Sequence, residues 1–364
     1  MEVAPTRRDP PPVDLLGSRG GHTAPVTGAA FSPDGERVVT SSEDGTARLW
    51  HVASGALVAV LEGHSDEVNA VTFAPNGSVI ATGSEDGTAM LWEASTGAAH
   101  STLHSPAGGL WTVAFSPDGS LLAGAGSAGM AAIWDARDNT LHATLSGHSG
   151  LMWTAEFSPD STRLATACED RTAALWDTRT GARMATLAGH TAPVTNVWFS
   201  ADGTQLATRG DDRTVRLWDG RTGAARHTLT HAEEVHGAAF SRDGALVATG
   251  SDDTSVRLWD ARSGAPRGEL AGHTEAVIDV LFTPDGARLV SVCGDGSVSV
   301  WGLHTRQLQV RWDGGLDAPL MSVLSRNGRQ LLIVADDTAR VLDLETGAYR
   351  ATFPGESHLQ PDVP

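Results

Sequence analysis

The sequence predicts an all-β chain in which small antiparallel sheets repeat and close on themselves. Three observations carry that expectation. Tryptophans recur as a ladder, a turn signal precedes each rung at a constant distance, and the pattern between rungs has the period of strands and nowhere that of a helix. The rungs are Trp50, Trp92, Trp134, Trp176, Trp218, Trp259 and Trp301, separated by 42 residues except for one gap of 41. Sixteen residues before each lies Asp34-Gly35, Asn76-Gly77, Asp118-Gly119, Asp160-Ser161, Asp202-Gly203, Asp243-Gly244 or Asp285-Gly286. Gly-His precedes five of the units, at 21–22, 63–64, 147–148, 189–190 and 272–273.

An eighth, weaker copy follows the seventh. Asn327-Gly328 takes the turn place, Asp336-Asp337 the acidic place and Leu342-Asp343 the place of Trp-Asp, with neither the His nor the Trp. The second unit shows the content of a copy: Val68–Phe73, Val79–Gly83, Thr88–Trp92 and Ala99–Leu103 read as four short strands, with Asn76-Gly77 and Asp86-Gly87 as hairpin turns. A lone four-stranded sheet cannot cover both of its faces. Such units must stack, and radial repetition closes the stack into a ring.

Composition narrows the class. The 364 residues are 40% hydrophobic and carry a net charge of −18; every basic residue is Arg, a bias suggesting a high-GC bacterial source. An acidic balance argues against nucleic acid as partner and favours basic ones. No apolar run reaches bilayer length, and MEVAPTRRDPPPVDLL lacks the apolar core of a secretory signal, so no membrane partner is expected and a cytoplasmic location is. Cys168 and Cys293 stand where small strand residues belong and read as inert packing. The stretches 1–12 and 355–364 read as flexible tails around one domain, 13–354.

In its Gly-His and Trp-Asp ends, residues 20–353 resemble the WD-repeat family. The resemblance implies a β-propeller of four-stranded antiparallel blades around a central channel. Eight blades are favoured; the alternative is seven blades with the last unit as an appendage. It also implies that units straddle blades, so that strands from opposite chain ends latch the ring. Leu15-Leu16 then competes with Ala351–Phe353 for the edge of the last blade.

Four polar positions recur within the units: His22, Thr40, Asp44 and Trp50; His64, Thr82, Asp86 and Trp92; His148, Thr166, Asp170 and Trp176. The later sets are His190, Thr208, Asp212 and Trp218; His231, Thr249, Asp253 and Trp259; and His273, Ser291, Asp295 and Trp301. Hydroxyl, imidazole and carboxylate together imitate a nucleophilic triad. Six copies make no sense as active sites, whereas a buried hydrogen-bond chain makes sense in every blade. The family resemblance implies the same structural role. The third unit carries Pro106, Gly124 and Ala128 at those places, keeping only Trp134, so it and the eighth are expected to be the softest blades.

The resemblance also implies that two variable positions per unit face the channel mouth. One holds Thr27, Asn69, Trp111, Trp153, Thr195, His236 and Ile278; the other holds Glu43, Glu85, Ser127, Glu169, Asp211, Asp252 and Gly294. Two tryptophans among carboxylates suit an Arg or Lys side chain of a protein or peptide. The competing reading has Trp111 and Trp153 filling a wide channel and packing on each other. A ring of carboxylates could instead hold calcium, but no calcium-loop, zinc or phosphate-loop motif is present, so no cofactor or metal is expected. The expected function is a non-catalytic interaction scaffold. The alternatives are a lyase or hydrolase at the mouth, built on His236 with Glu233 and Glu234, or the sensor part of a larger bacterial signalling protein.

Overall fold

A computed structural model of the chain describes residues 20–312, 316, 318–335 and 338–354. Leu15-Leu16, Asp336-Asp337 and the stretches 1–12 and 355–364 lie outside the described residues. The chain forms eight four-stranded sheets, each built from consecutive antiparallel strands. In the first blade these are β1 (Val26–Phe31), β2 (Arg37–Ser42), β3 (Thr46–His51) and β4 (Leu57–Glu62), running from the channel outward. The Asp-Gly signals do what their chemistry suggests. Gly35 adopts φ +74° and donates to the Ser32 carbonyl at 2.8 Å, while the Ser32 hydroxyl donates to Asp34. In the fourth blade Ser161 takes this conformation, at φ +60°.

Alternation along the strands sends apolar side chains to both sheet faces, and each seam between blades holds its own cluster. Leu49 and Leu61 of the first blade meet Phe73, Ile80 and Trp92 of the second. Comparable clusters occupy the six following seams. The ring closes where Val26, Val38 and Trp50 pack on Leu332, Val341 and Phe353, the Trp50 and Phe353 rings 5.1 Å apart.

This settles the blade number at eight. The weak eighth unit makes a full sheet of Met321–Leu324, Gln330–Ala335, Thr338–Asp343 and Tyr349–Pro354. Its polar set is replaced by apolar core, with Leu331, Leu332, Ile333 and Val334 all fully buried. The expected latch of strands from opposite chain ends is not present among the described residues. Tyr349–Pro354 completes the last sheet from the C-terminal side, and the seam is held by packing and by His22 donating its backbone N–H to the Pro354 carbonyl at 3.0 Å.

Candidate binding site at the mouth of the ring

The recurrent quartets sit inside the blades. In blade 5 the Trp218 indole N–H donates to Thr208 Oγ1 (2.9 Å), Thr208 pairs with His190 Nε2 (2.8 Å), and His190 Nδ1 meets Asp212 (2.9 Å). The same three bonds are made in blades 1, 2, 4 and 6. Burial holds His64, His190 and His231 below the usual imidazole range. A neutral ring facing a carboxylate must carry its proton on Nδ1, so Nε2 accepts and the threonine donates. The sequence reading missed one further member, the hydroxyl two residues after each aspartate. Thr46, Thr88, Thr172, Thr214 and Ser255 all donate to that carboxylate, and their constant offset was the available signal.

Asp295 corrects the expectation for blade 7. His273 Nδ1 pairs there with Cys293 Sγ at 3.0 Å, while Asp295 turns outward to Arg311 at 3.2 Å. Cys293 stands where blades 1, 2 and 6 have Ser42, Ser84 and Ser251, and its larger sulfur takes the imidazole. Cys168 substitutes for the same serine more faithfully, bonding to the Gly150 carbonyl and the Asp170 amide at 3.4 Å each. The donor atoms of His148, Cys168 and Asp170 lie within 4.8 Å of one another, the spacing of a small metal site. Burial pushes the Cys168 thiol up to about 12, and the protonated sulfur bonds the backbone on both sides.

At the mouth a backbone irregularity does the positioning. In blades 1 to 7 the inner strand carries a bulge at its second residue, where register slips by one against the second strand. The bulged residues are Thr27, Asn69, Trp111, Trp153, Thr195, His236 and Ile278, the first set of mouth positions. A bulge takes its residue out of the pleat and re-aims its side chain, which frees that position from core packing.

Neighbouring bulges touch. Thr27 Oγ1 donates to the Val68 carbonyl (2.5 Å), and Asn69 Nδ2 donates to the Leu110 carbonyl (3.2 Å) and to Glu85 (3.4 Å). Asn69 therefore ties the Glu85 carboxylate to the strand that bears Trp111. The Trp111 and Trp153 rings meet edge to face, with centroids 5.4 Å apart. Trp111 remains 37% exposed, and the Trp153 indole nitrogen is buried with no hydrogen-bond partner among the described residues. The pair thus packs on itself, as the competing reading required, while one ring stays open to the mouth. Among the second positions Glu43, Glu169, Asp211, Asp252 and Ser127 are exposed, and Glu85 is half-buried.

Across the mouth, His236 Nε2 pairs with Asp252 at 2.7 Å, whereas Glu233 pairs with Arg213 at 3.4 Å. The acid/base group expected from His236, Glu233 and Glu234 therefore centres on Asp252. Thr195 Oγ1 accepts from Arg209 Nε at 2.8 Å, and Arg209 Nη1 also reaches the His236 carbonyl. Deeper on the inner strands lie two carboxylates the sequence reading passed over. Burial raises Glu156 to about 7 and Asp279 to about 6; Glu156 accepts from the Phe199 amide at 3.1 Å and Asp279 from the Ser322 hydroxyl at 2.7 Å. Two surface hollows, of 410 and 180 Å³, are lined by none of the mouth residues.

A model of the WD domain, G-beta repeat matches seven stretches: 14–51, 55–93, 98–135, 139–177, 181–219, 223–260 and 264–302. The chain belongs to the WD-repeat family. Its eighth blade lies beyond the last matched residue, as expected of a WD repeat that has lost both His and Trp. One 41-residue stretch is 49% identical to WD repeat-containing protein 86 of Homo sapiens and spans 11% of each chain. A stretch of 42 residues is 55% identical to an uncharacterised WD repeat-containing protein of Synechocystis, covering 11% of this chain and 12% of that one. These likenesses amount to a single WD repeat. Among solved structures, the computationally designed Ika8 protein is similar over 89% of this chain and 98% of its own, with a TM-score of 0.77 and 26% identity.

Proposed function

We propose that this WD-repeat propeller binds a partner protein at its mouth by taking an Arg or Lys side chain over Trp111, between Glu85 and Glu169. WD-repeat propellers generally mediate protein–protein interaction, and the mouth supplies the chemistry for a basic anchor. The carrying observation is the half-open Trp111–Trp153 pair, 5.4 Å apart, beside a glutamate that Asn69 holds in place. A cation over an indole face gains roughly 0.5–2 kcal/mol, more when a neighbouring carboxylate completes the contact.

The test is fluorescence anisotropy against a panel of labelled Arg- and Lys-containing peptides. Binding should weaken at least about tenfold in Trp111→Ala/Trp153→Ala, with the melting temperature nearly unchanged. Binding that survives the double substitution refutes the site. Loss of folding instead would make the pair channel filling.

A further inference from the structure

We infer that the WD-repeat mouth is built to hold a basic amphipathic helix of a partner lying across the channel, with apolar side chains at both of its ends. The inference rests on the binding face proposed above, keeps a cation beside Trp111 and Glu85, and adds an orientation and an apolar contact at each end. In a ring of eight blades, those four apart face each other across the axis. Trp111 of blade 3 therefore faces Ile278 of blade 7.

The position opposite Trp153 is filled by Leu320. Ala29 pairs with Thr40 and Ser322 with Ile333, each partner the fourth residue of its blade's second strand, so Leu320 is the counterpart of Thr27. It is 54% exposed, the most exposed of the large apolar side chains among the described residues. The mouth thus has two apolar poles facing each other, an aromatic one on blades 3 and 4 and an aliphatic one on blades 7 and 8.

Between the poles the flanks are polar and also match. Thr27 of blade 1 stands opposite Thr195 of blade 5, and each blade has a carboxylate, Glu43 or Asp211, at its second mouth position. Asn69 of blade 2 stands opposite His236 of blade 6, and each hydrogen-bonds the acid of its own blade: Asn69 to Glu85 at 3.4 Å, His236 to Asp252 at 2.7 Å. The acid is missing in blades 3 and 7, where Ser127 and Gly294 take its place, while blade 4 keeps Glu169 at the edge of the aromatic pole. Polar flanks and apolar poles thus repeat with two-fold character, although the sequence repeat is eight-fold. Arg209 does not reverse the sign of its flank, since Asp211, Glu234 and Asp279 all act on its charge.

A single side chain would use one pole only. A segment using both must carry apolar groups at its ends and cationic groups along both sides, which is the make-up of a basic amphipathic helix. The net charge of −18 attracts such a segment over distance and makes its capture salt-dependent.

The test uses labelled synthetic helices of about 18 residues, roughly 27 Å long. One has Leu at both ends with Lys between, one has all its Leu at one end, and one has Glu for every Lys. Wild-type protein should bind the first at least about tenfold better than either of the others. Ile278→Ser/Leu320→Ser should weaken it about as much as Trp111→Ala/Trp153→Ala does, and should erase the preference for two apolar ends. If the blade 7 and 8 variant binds like wild type while the tryptophan variant does not, the crossing helix is wrong and the single basic anchor survives. If neither pair matters, both readings fall. Should the first of these double variants unfold, Leu320→Ser alone carries the comparison, because that side chain is exposed.

Discussion

Replacing Thr208 by Val tests whether the quartets are structure or chemistry. Thr208 is fully buried, and its hydroxyl bonds both the Trp218 indole N–H at 2.9 Å and His190 Nε2 at 2.8 Å. Valine has nearly the same shape, so no cavity forms, but two buried polar groups lose their partner. At about 1–3 kcal/mol for each, the loss is about 2–6 kcal/mol. With an unfolding entropy near 2.1 cal/mol/K per residue, that corresponds to a fall of roughly 3–8 °C in melting temperature. Calorimetry on both proteins measures it. Hydrogen exchange should place the added opening at the seam of blades 4 and 5, where Trp218 packs on Ala165 and Leu187. Peptide binding at the mouth should be untouched. An unchanged melting temperature, or lost binding with intact stability, would refute the assignment of the quartets to the interior.

Other substitutions probe the exceptions. Gly124→Ala should destabilise blade 3 by about 1–3 kcal/mol in urea denaturation, since the added methyl would stand 2.9 Å from the Trp134 ring. Asp212→Ala should lower the melting temperature more than Asp295→Ala, because Asp212 bonds an imidazole and Asp295 bonds Arg311 at the surface. Glu156→Gln should matter only as pH rises. The folded carboxyl, raised to about 7, keeps its proton while the unfolded one loses it from about 4.5, so wild-type stability falls between those values and stays low above them. The variant should match wild type in denaturant titrations at pH 4 and exceed it at pH 8, by at most about 3 kcal/mol. Equal stability at both would mean that Glu156 ionises freely in channel water.

What the sequence made legible, and what it did not, follows from where each side chain finds its partners. The quartets recur because every member is satisfied within its own blade, so one blade's solution serves for the others, and the fold could be read from Trp50 to Trp301 by spacing alone. Blade 8 was legible only through its turn at Asn327-Gly328, because it solves the same burial problem with Leu331, Leu332 and Ile333. The displacement of Asp295 was not legible, since it depends on a sulfur two residues away meeting an imidazole from another loop. Nor were the raised carboxyls of Glu156 and Asp279, because desolvation raises them and each is bonded by a neighbouring blade distant in sequence: the Phe199 amide belongs to blade 5 and the Ser322 hydroxyl to blade 8. The mouth positions were visible as variation, but the cause of that variation is the bulge. A residue lifted out of the pleat has no fixed partner in the core, so Thr, Asn, Trp, His and Ile are all tolerated there at little cost to the blade beneath. The repeat holds the ring, and the same backbone slip, made seven times, releases seven side chains from that duty. Stability and recognition are therefore separable in this propeller: a substitution that changes binding at a bulge should leave the blade intact, and one that weakens a quartet should leave the mouth chemistry as it was.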